Sequence, residues 1–80
     1  MLHELKIKEN YLTNLVHGKK KSEIRVNDRD YQVGDVLQFI KYKGLDPPKY
    51  YYFKITHIHS GLGMEKNYVC LSLCAKTDDI

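Results

Sequence analysis

Lys20, Glu23 and Arg25 lie close together in the sequence and carry charges from which a binding site for an anion could be built. Glu23 and Arg25 are two positions apart, so on a β-strand they share one face, with Cβ atoms roughly 7 Å apart. A carboxylate beside a guanidinium stays ionised and orients the planar fork for recognition of a phosphate or a base edge. Lys20 could hold a phosphate as a point charge, or act as a base if a dry cleft removed its proton. A surface ion pair and a solvated lysine are the structural alternatives.

The segment around these residues is basic. Five cations fall within eleven residues: Lys19, Lys20, Lys21, Arg25 and Arg29. The whole chain has a net charge of +3, a mildly basic balance that suits contacts with RNA, nucleotides or phosphate. Lys6, on the neighbouring predicted strand, is a further candidate contact, as are Asn27 and Arg29. The stretch NDRD also has the composition of a turn, which is the favoured interpretation of that stretch.

Two kinds of periodicity predict the elements that must position these side chains. Alternation of apolar and polar residues predicts five strands, near residues 3–8, 21–27, 36–42, 50–59 and 68–73. The apolar residues of NYLTNLVHG recur at helical spacing and predict one short helix over residues 9–17, with a core-facing stripe that includes Tyr11. Gly18 follows at the position where a left-handed C-cap residue is favoured, so the next strand can begin at once.

The length of 80 residues allows one small domain, residues 1–80, and no second one. Hydrophobic residues make up 42% of the chain, which is enough for a compact core. A single sheet of this size buries its apolar face best by curling. We therefore expect an α+β fold that is mostly β: a small mixed or antiparallel barrel of about five strands, with a short helix after the first strand.

Cysteine and histidine residues predict little further chemistry. Cys70 and Cys74 are four positions apart on one predicted strand, roughly 13 Å, which is too far for a disulfide, so we expect reduced thiols. His57 and His59 could supply two ligands to a metal, but no third ligand is evident nearby. We expect neither a metal nor a cofactor.

Three consecutive tyrosines begin the fourth predicted strand. Alternation places Tyr51 toward the core and Tyr50 and Tyr52 outward, where exposed tyrosines can stack on bases, although packing on the barrel wall is the favoured alternative. The sequence has no signal-peptide pattern and no apolar run near 18 residues. We therefore expect a cytoplasmic protein without membrane contact, and a monomer is the favoured state.

The segment Gly18-x-Lys20-x-x-Glu23-x-Arg25 resembles the G-x-K-x-x-E-x-R motif of ASCH domains, which are relatives of the PUA domain. The similarity extends over nearly the whole chain, from HELKIK to YVCLSL, and is greatest to small stand-alone bacterial and phage members. The resemblance implies a PUA-like barrel in which the motif lines a cleft between the helix and the barrel. It also implies binding of RNA or a nucleotide, which many family members are proposed to bind.

One hydrolytic subgroup of that family removes the acetyl group from N4-acetylcytidine nucleosides. The resemblance would make Lys20 and Glu23 the catalytic candidates, but the subgroup has a threonine at the position of Glu23 and a glutamate further along the chain. The one downstream glutamate here is Glu65, in a predicted loop. We therefore expect a module that binds RNA or a nucleotide in a basic cleft. The alternatives are an amidohydrolase acting on an acylated nucleoside such as N4-acetylcytidine, and a protein-interaction adaptor.

Overall fold

The computed structural model of the protein describes residues 1–41 and 49–76. Its elements in chain order are β1 (Leu2–Leu5), α1 (Glu9–Val16), β2 (Ser22–Val26), β3 (Val36–Lys41), β4 (Lys49–His59) and β5 (Tyr68–Ala75). The predicted fold class is confirmed: one short helix follows the first strand, and the strands form a single sheet that curls into a half-barrel. β1 is shorter than predicted, and the predicted end of β3 at residue 42 lies outside the described residues.

The strands lie in the order β1-β3-β4-β5-β2. The pairs β3–β4, β4–β5 and β5–β2 are antiparallel, whereas β1 and β3 are parallel. Within the described residues no ladder of hydrogen bonds joins β1 to β2, so these two strands are the edges of the sheet. The chain therefore passes from one edge to the other through α1, and the helix lies over the concave face.

β4 is long enough to pair with two partners in succession. Its first half pairs with β3 and its second half with β5, and the register shifts between Ile55 and His57. A bulge of this kind bends a strand and increases its twist, which is what allows the sheet to curl.

The core lies between the concave face and α1. Leu12 and Leu15 are the buried residues of the helix. The strands and one turn supply the remaining buried apolar side chains: Leu5, Tyr31, Leu37, Phe39, Phe53, Ile55, Val69, Leu71 and Leu73. Tyr51 packs against this core and Tyr50 is 44% exposed, as the alternation predicted.

β2 has its charged face inside and its apolar face outside. Glu23 is only 5% exposed, whereas Ile24 is 59% and Val26 is 44% exposed. An edge strand normally turns its aliphatic residues toward the core, so this strand has the reverse of the pattern that burial favours. The polar inner face of β2 carries Glu23 and Arg25, which belong to the candidate site.

No helix in the described residues is long and apolar enough to cross a membrane.

Candidate functional site

The end of α1 determines where Lys20 lies. Gly18 has a φ of +76°, and its N–H donates to the Leu15 carbonyl oxygen at 3.2 Å, while the Lys19 N–H donates to that of Asn14 at 2.9 Å. These two bonds form a Schellman motif, so the predicted C-cap is confirmed. The Lys20 N–H also donates to the Asn14 carbonyl oxygen at 3.0 Å, which ties the backbone of Lys20 to the helix end.

Glu23 lies between two cations. One carboxylate oxygen, Oε1, is 3.2 Å from Lys20 Nζ, and the other, Oε2, is 3.3 Å from Arg25 Nη1. The Glu23 side chain is 7% exposed, whereas those of Lys20 and Arg25 are 27% and 24% exposed, so both cations can still be reached from solvent. The three formal charges leave one net positive charge. We refer to Lys20, Glu23 and Arg25 as the Glu23 cluster.

Arg25 also connects the two edges of the sheet. Its Nη1 donates a 3.0 Å hydrogen bond to the carbonyl oxygen of Lys6, which directly follows β1. In the part of the chain that the structure describes, the hydrogen bonds of Arg25 all use Nη1, and its Nε and Nη2 groups make none there. A guanidinium fixed at one corner presents the rest of its fork in a defined orientation.

Tyr11 covers one side of the Glu23 cluster. The Nζ atoms of Lys20 and Lys8 lie 5.2 Å and 5.6 Å from the centroid of its ring, within range of cation–π attraction. The helical pattern assigned Tyr11 to the core-facing stripe, but its side chain is 41% exposed. Tyr11 lies at the edge of the apolar stripe, whereas Leu12 and Leu15 lie at its centre. Periodicity alone does not tell which residues of a stripe are fully buried.

Tyr31 brings a buried hydroxyl group close to Arg25. The residue is 6% exposed, and its hydroxyl has no hydrogen-bond partner among the described residues. Burial raises the pKa of the Tyr31 hydroxyl above its ordinary value of 10, and the positive charge of Arg25 opposes this shift. Sequence reasoning missed Tyr31 because it stands in a turn-rich stretch, where no periodicity indicates which way a side chain points.

The other predicted contacts lie apart from the Glu23 cluster. The Asn27 N–H donates to the Asn67 carbonyl oxygen at 2.8 Å, which ties it to the loop before β5. Arg29 is exposed, and its Nε lies 4.0 Å from the Asp28 carboxylate. No hydrogen bond or ion pair within residues 1–41 and 49–76 joins Asn27 or Arg29 to the cluster, so their role in ligand binding stays a prediction.

A cavity of about 280 Å³ lies beside Arg25 and is lined by Ile24, Arg25, Val26, Asp28 and Tyr68. Neither Lys20 nor Glu23 lines it. A ligand at the Glu23 cluster would therefore lie on an open, partly exposed surface, and would be held by charge and stacking more than by enclosure.

A second buried carboxylate, Asp35, connects parts of the sheet. Its Oδ2 accepts hydrogen bonds from His3 Nε2 at 2.8 Å and from the Gln32 N–H at 3.0 Å, and its Oδ1 lies 3.1 Å from the Met1 amine. The bond from His3 is the main reason that the pKa of Asp35 is lowered from 3.8 to about 2. This group joins β1 to the start of β3, and no sequence pattern indicated it.

The histidines of β4 and the cysteines of β5 were the candidates for metal binding or a disulfide. His59 Nε2 is 2.8 Å from the Leu62 carbonyl oxygen, and the Cys70 and Cys74 thiols are free. Within the described ranges no group of three or more His, Cys, Asp or Glu side chains is arranged to hold a metal ion.

The comparisons with known proteins identify a family. The family described as a domain of unknown function (DUF3850) matches residues 2–73, and the chain belongs to it. No curated protein shows a significant match to the sequence.

Proposed function

We propose that this protein binds RNA or a nucleotide through the Glu23 cluster. The observation that carries the proposal is a buried carboxylate that fixes two partly exposed cations. Lys20 offers a point charge, Arg25 offers the unused part of its fork, and Tyr11 offers a half-exposed ring beside them. The two cations suit a phosphate, and the ring suits a stacked base.

The inverted face of β2 supports the proposal. A strand that buries Glu23 and exposes Ile24 and Val26 gives up hydrophobic stabilisation that the reverse arrangement would gain. Departures of this kind from the rules that stabilise a fold concentrate at functional sites. The resemblance of Gly18-x-Lys20-x-x-Glu23-x-Arg25 to the ASCH motif agrees with it, and we propose that the chain is a relative of that family.

The contacts of Lys20 favour binding over hydrolysis. A general base must be free to take a proton from water, but Lys20 Nζ is engaged in an ion pair with Glu23 Oε1 at 3.2 Å. Glu65 is exposed in the loop before β5, where it lines a groove with Asn27 and Met64 among others. No contact in the described part of the chain links it to Lys20. An amidohydrolase or an adaptor has no comparable observation in its favour.

The proposal is tested by measuring the affinity for a labelled single-stranded RNA by fluorescence anisotropy. Arg25→Ala and Lys20→Ala should each weaken binding by about tenfold, the effect of losing a charge-assisted hydrogen bond. Lys66→Ala is the matched control, since it removes an exposed lysine from the loop before β5 and should change affinity less than about twofold. Affinity should also fall as salt rises, because phosphate contacts release counterions.

Arg25→Lys separates charge from geometry, since it keeps the charge and removes the fork. It should recover only part of the affinity. Thermal melts of each variant show that the loss is not caused by unfolding. Equal losses in all three alanine variants would indicate diffuse attraction without a site and would refute the proposal.

A further inference from the structure

The convex face of the sheet carries two tyrosines that the Glu23 cluster does not use. Tyr50 and Tyr52 are two residues apart on β4 and lie opposite Ile40 and Gln38 of β3. Tyr50 is 44% exposed, and the Tyr52 hydroxyl accepts a 3.3 Å hydrogen bond from Gln38 Nε2, which fixes its orientation. Residues i and i+2 of a strand are roughly 7 Å apart, so each ring can take a separate base.

The charges around these tyrosines are mainly positive. Lys54 follows on the same face of β4, opposite Val36. Lys76 lies on the β5 side, where its N–H donates to the Tyr52 carbonyl oxygen at 2.9 Å. Lys6 and Glu4 lie on the β1 side. Among the described residues, three cations therefore accompany one carboxylate, a balance that favours a polyanion and opposes a second copy of this chain, whose own net charge is +3.

Lys6 connects this face to the Glu23 cluster. Its carbonyl oxygen accepts the bond from Arg25, while the residue also lines a cavity of about 260 Å³ on the outer face. The other residues that line this cavity are Glu4, Leu5, Gln38, Ile40 and Tyr50. A chain of nucleotides could thus leave Arg25, pass Lys6 and reach Tyr50 without leaving the protein surface.

We propose that the ligand is a single-stranded nucleic acid and that Tyr50 and Tyr52 stack on its bases after the strand has passed the Glu23 cluster. This inference rests on the proposed function and extends it, since a mononucleotide is too short to occupy both places. Aromatic side chains bind bases with little sequence preference, because every base has a stacking face. The lysines on this face supply phosphate contacts between the stacked bases.

The first experiment compares a labelled RNA of about ten nucleotides with a labelled mononucleotide. Tyr50→Ala should weaken binding of the RNA at least about fivefold, the lower end of the effect of losing one stacked base, and leave mononucleotide affinity unchanged. Tyr50→Phe, which keeps the ring, should bind as the wild type does. Thermal melts exclude unfolding as the cause.

The second experiment uses the absence of tryptophan from the chain. Tyr50→Trp introduces a single reporter whose fluorescence is quenched when a base stacks on it. RNA should quench it, whereas an abasic oligonucleotide of the same charge should not. Quenching of equal size by the abasic strand would show that charge alone brings the ligand to this face, and would overturn the inference.

The outcomes separate the two proposals. If Arg25→Ala weakens RNA binding and Tyr50→Ala does not, the cluster remains a site and the tyrosine face is refuted. If Tyr50→Ala weakens binding and Arg25→Ala does not, stacking on the tyrosine face stands, whereas the Glu23 cluster and the path of the strand past it are refuted. If the wild type binds the mononucleotide as tightly as the RNA, the inference fails alone, and if it binds neither, both proposals fail. An acidic peptide that displaces the RNA and quenches the reporter equally well would also refute the inference.

Discussion

Glu23 is a buried charge in a chain of only 80 residues. Removing a carboxylate from water costs several kcal/mol, and ion pairs recover this only where the geometry is good. Lys20 and Arg25 each bind one oxygen of Glu23, at 3.2 Å and 3.3 Å, so neither carboxylate oxygen is left without a cation. Apolar residues of similar volume often stabilise a protein as well as a buried ion pair does. Stability alone therefore does not account for the Glu23 cluster, which agrees with the proposed binding role.

The same carboxylate sets the chemistry of Lys20. We expect no release of acetate from N4-acetylcytidine by the wild type, because Lys20 Nζ is engaged in an ion pair with Glu23 Oε1 at 3.2 Å and is not free to activate a water. Glu23→Thr removes this ion pair and should show at most a trace of activity, measured by chromatography of the nucleoside. The control is Lys20→Ala in the Glu23→Thr background, which should abolish that trace. A wild type that releases acetate efficiently, and loses the activity as Lys20→Ala, would instead establish an amidohydrolase.

Among the elements, α1 has the most direct effect on the site, since its C-terminal turn carries Lys20. The Schellman motif requires a residue with positive φ at Gly18. A Cβ at this position would meet only the Lys21 ammonium at 3.7 Å, so a substitution there is opposed by backbone strain and not by a clash.

Gly18→Ala should lower the free energy of unfolding by about 1 kcal/mol, because alanine tolerates the left-handed region poorly. Urea denaturation measures this change. Gly18→Asn is the matched control and should lose less, since asparagine adopts this conformation more readily. RNA affinity should follow the same order, because the turn positions Lys20. An alanine variant as stable as the wild type would show that the motif does not limit stability.

The elements themselves could be predicted from the sequence, whereas their faces could be predicted only in part. Periodicity located all five strands and the helix, and it placed Tyr50 and Tyr51 on the correct sides of β4. It could not tell that β2 turns Glu23 inward, because alternation defines two faces without saying which one meets the core. Tyr31 was missed for a related reason, since a turn has no period, and its place near Arg25 depends on contacts distant in sequence.

The whole molecule is held in its curved form by polar contacts that supplement the ladders. Arg25 connects the two edge strands through the Lys6 carbonyl oxygen. Asp35 joins β1 to β3 at the start of the one parallel pair in the described sheet, where it accepts bonds from His3 and from the backbone of Gln32. The first of these contacts belongs to the proposed site, whereas the second shares no residue with that site, and we expect it to affect stability alone.

Asp35 should therefore control the acid stability of the fold. Its pKa is lowered from 3.8 to about 2, chiefly by the hydrogen bond from His3. A lowered carboxyl pKa contributes stability that is fully present above the unfolded value and is lost as pH falls from about 4 to about 2. The contribution is roughly 2 kcal/mol, from the 1.36 kcal/mol that corresponds to each pKa unit.

Thermal melts between pH 2 and 7 test this dependence on Asp35. Asp35→Asn should lower the melting temperature at pH 7, because its amide replaces a charged acceptor, and should flatten the loss between pH 4 and pH 2. Glu4→Gln, an exposed change on the same strand as His3, is the control and should retain the full acid transition. RNA affinity at pH 7 should be unchanged in Asp35→Asn while it remains folded, because Asp35 belongs neither to the Glu23 cluster nor to the face that carries Tyr50 and Tyr52. An Asp35→Asn protein with an unchanged acid transition would show that another carboxylate governs it.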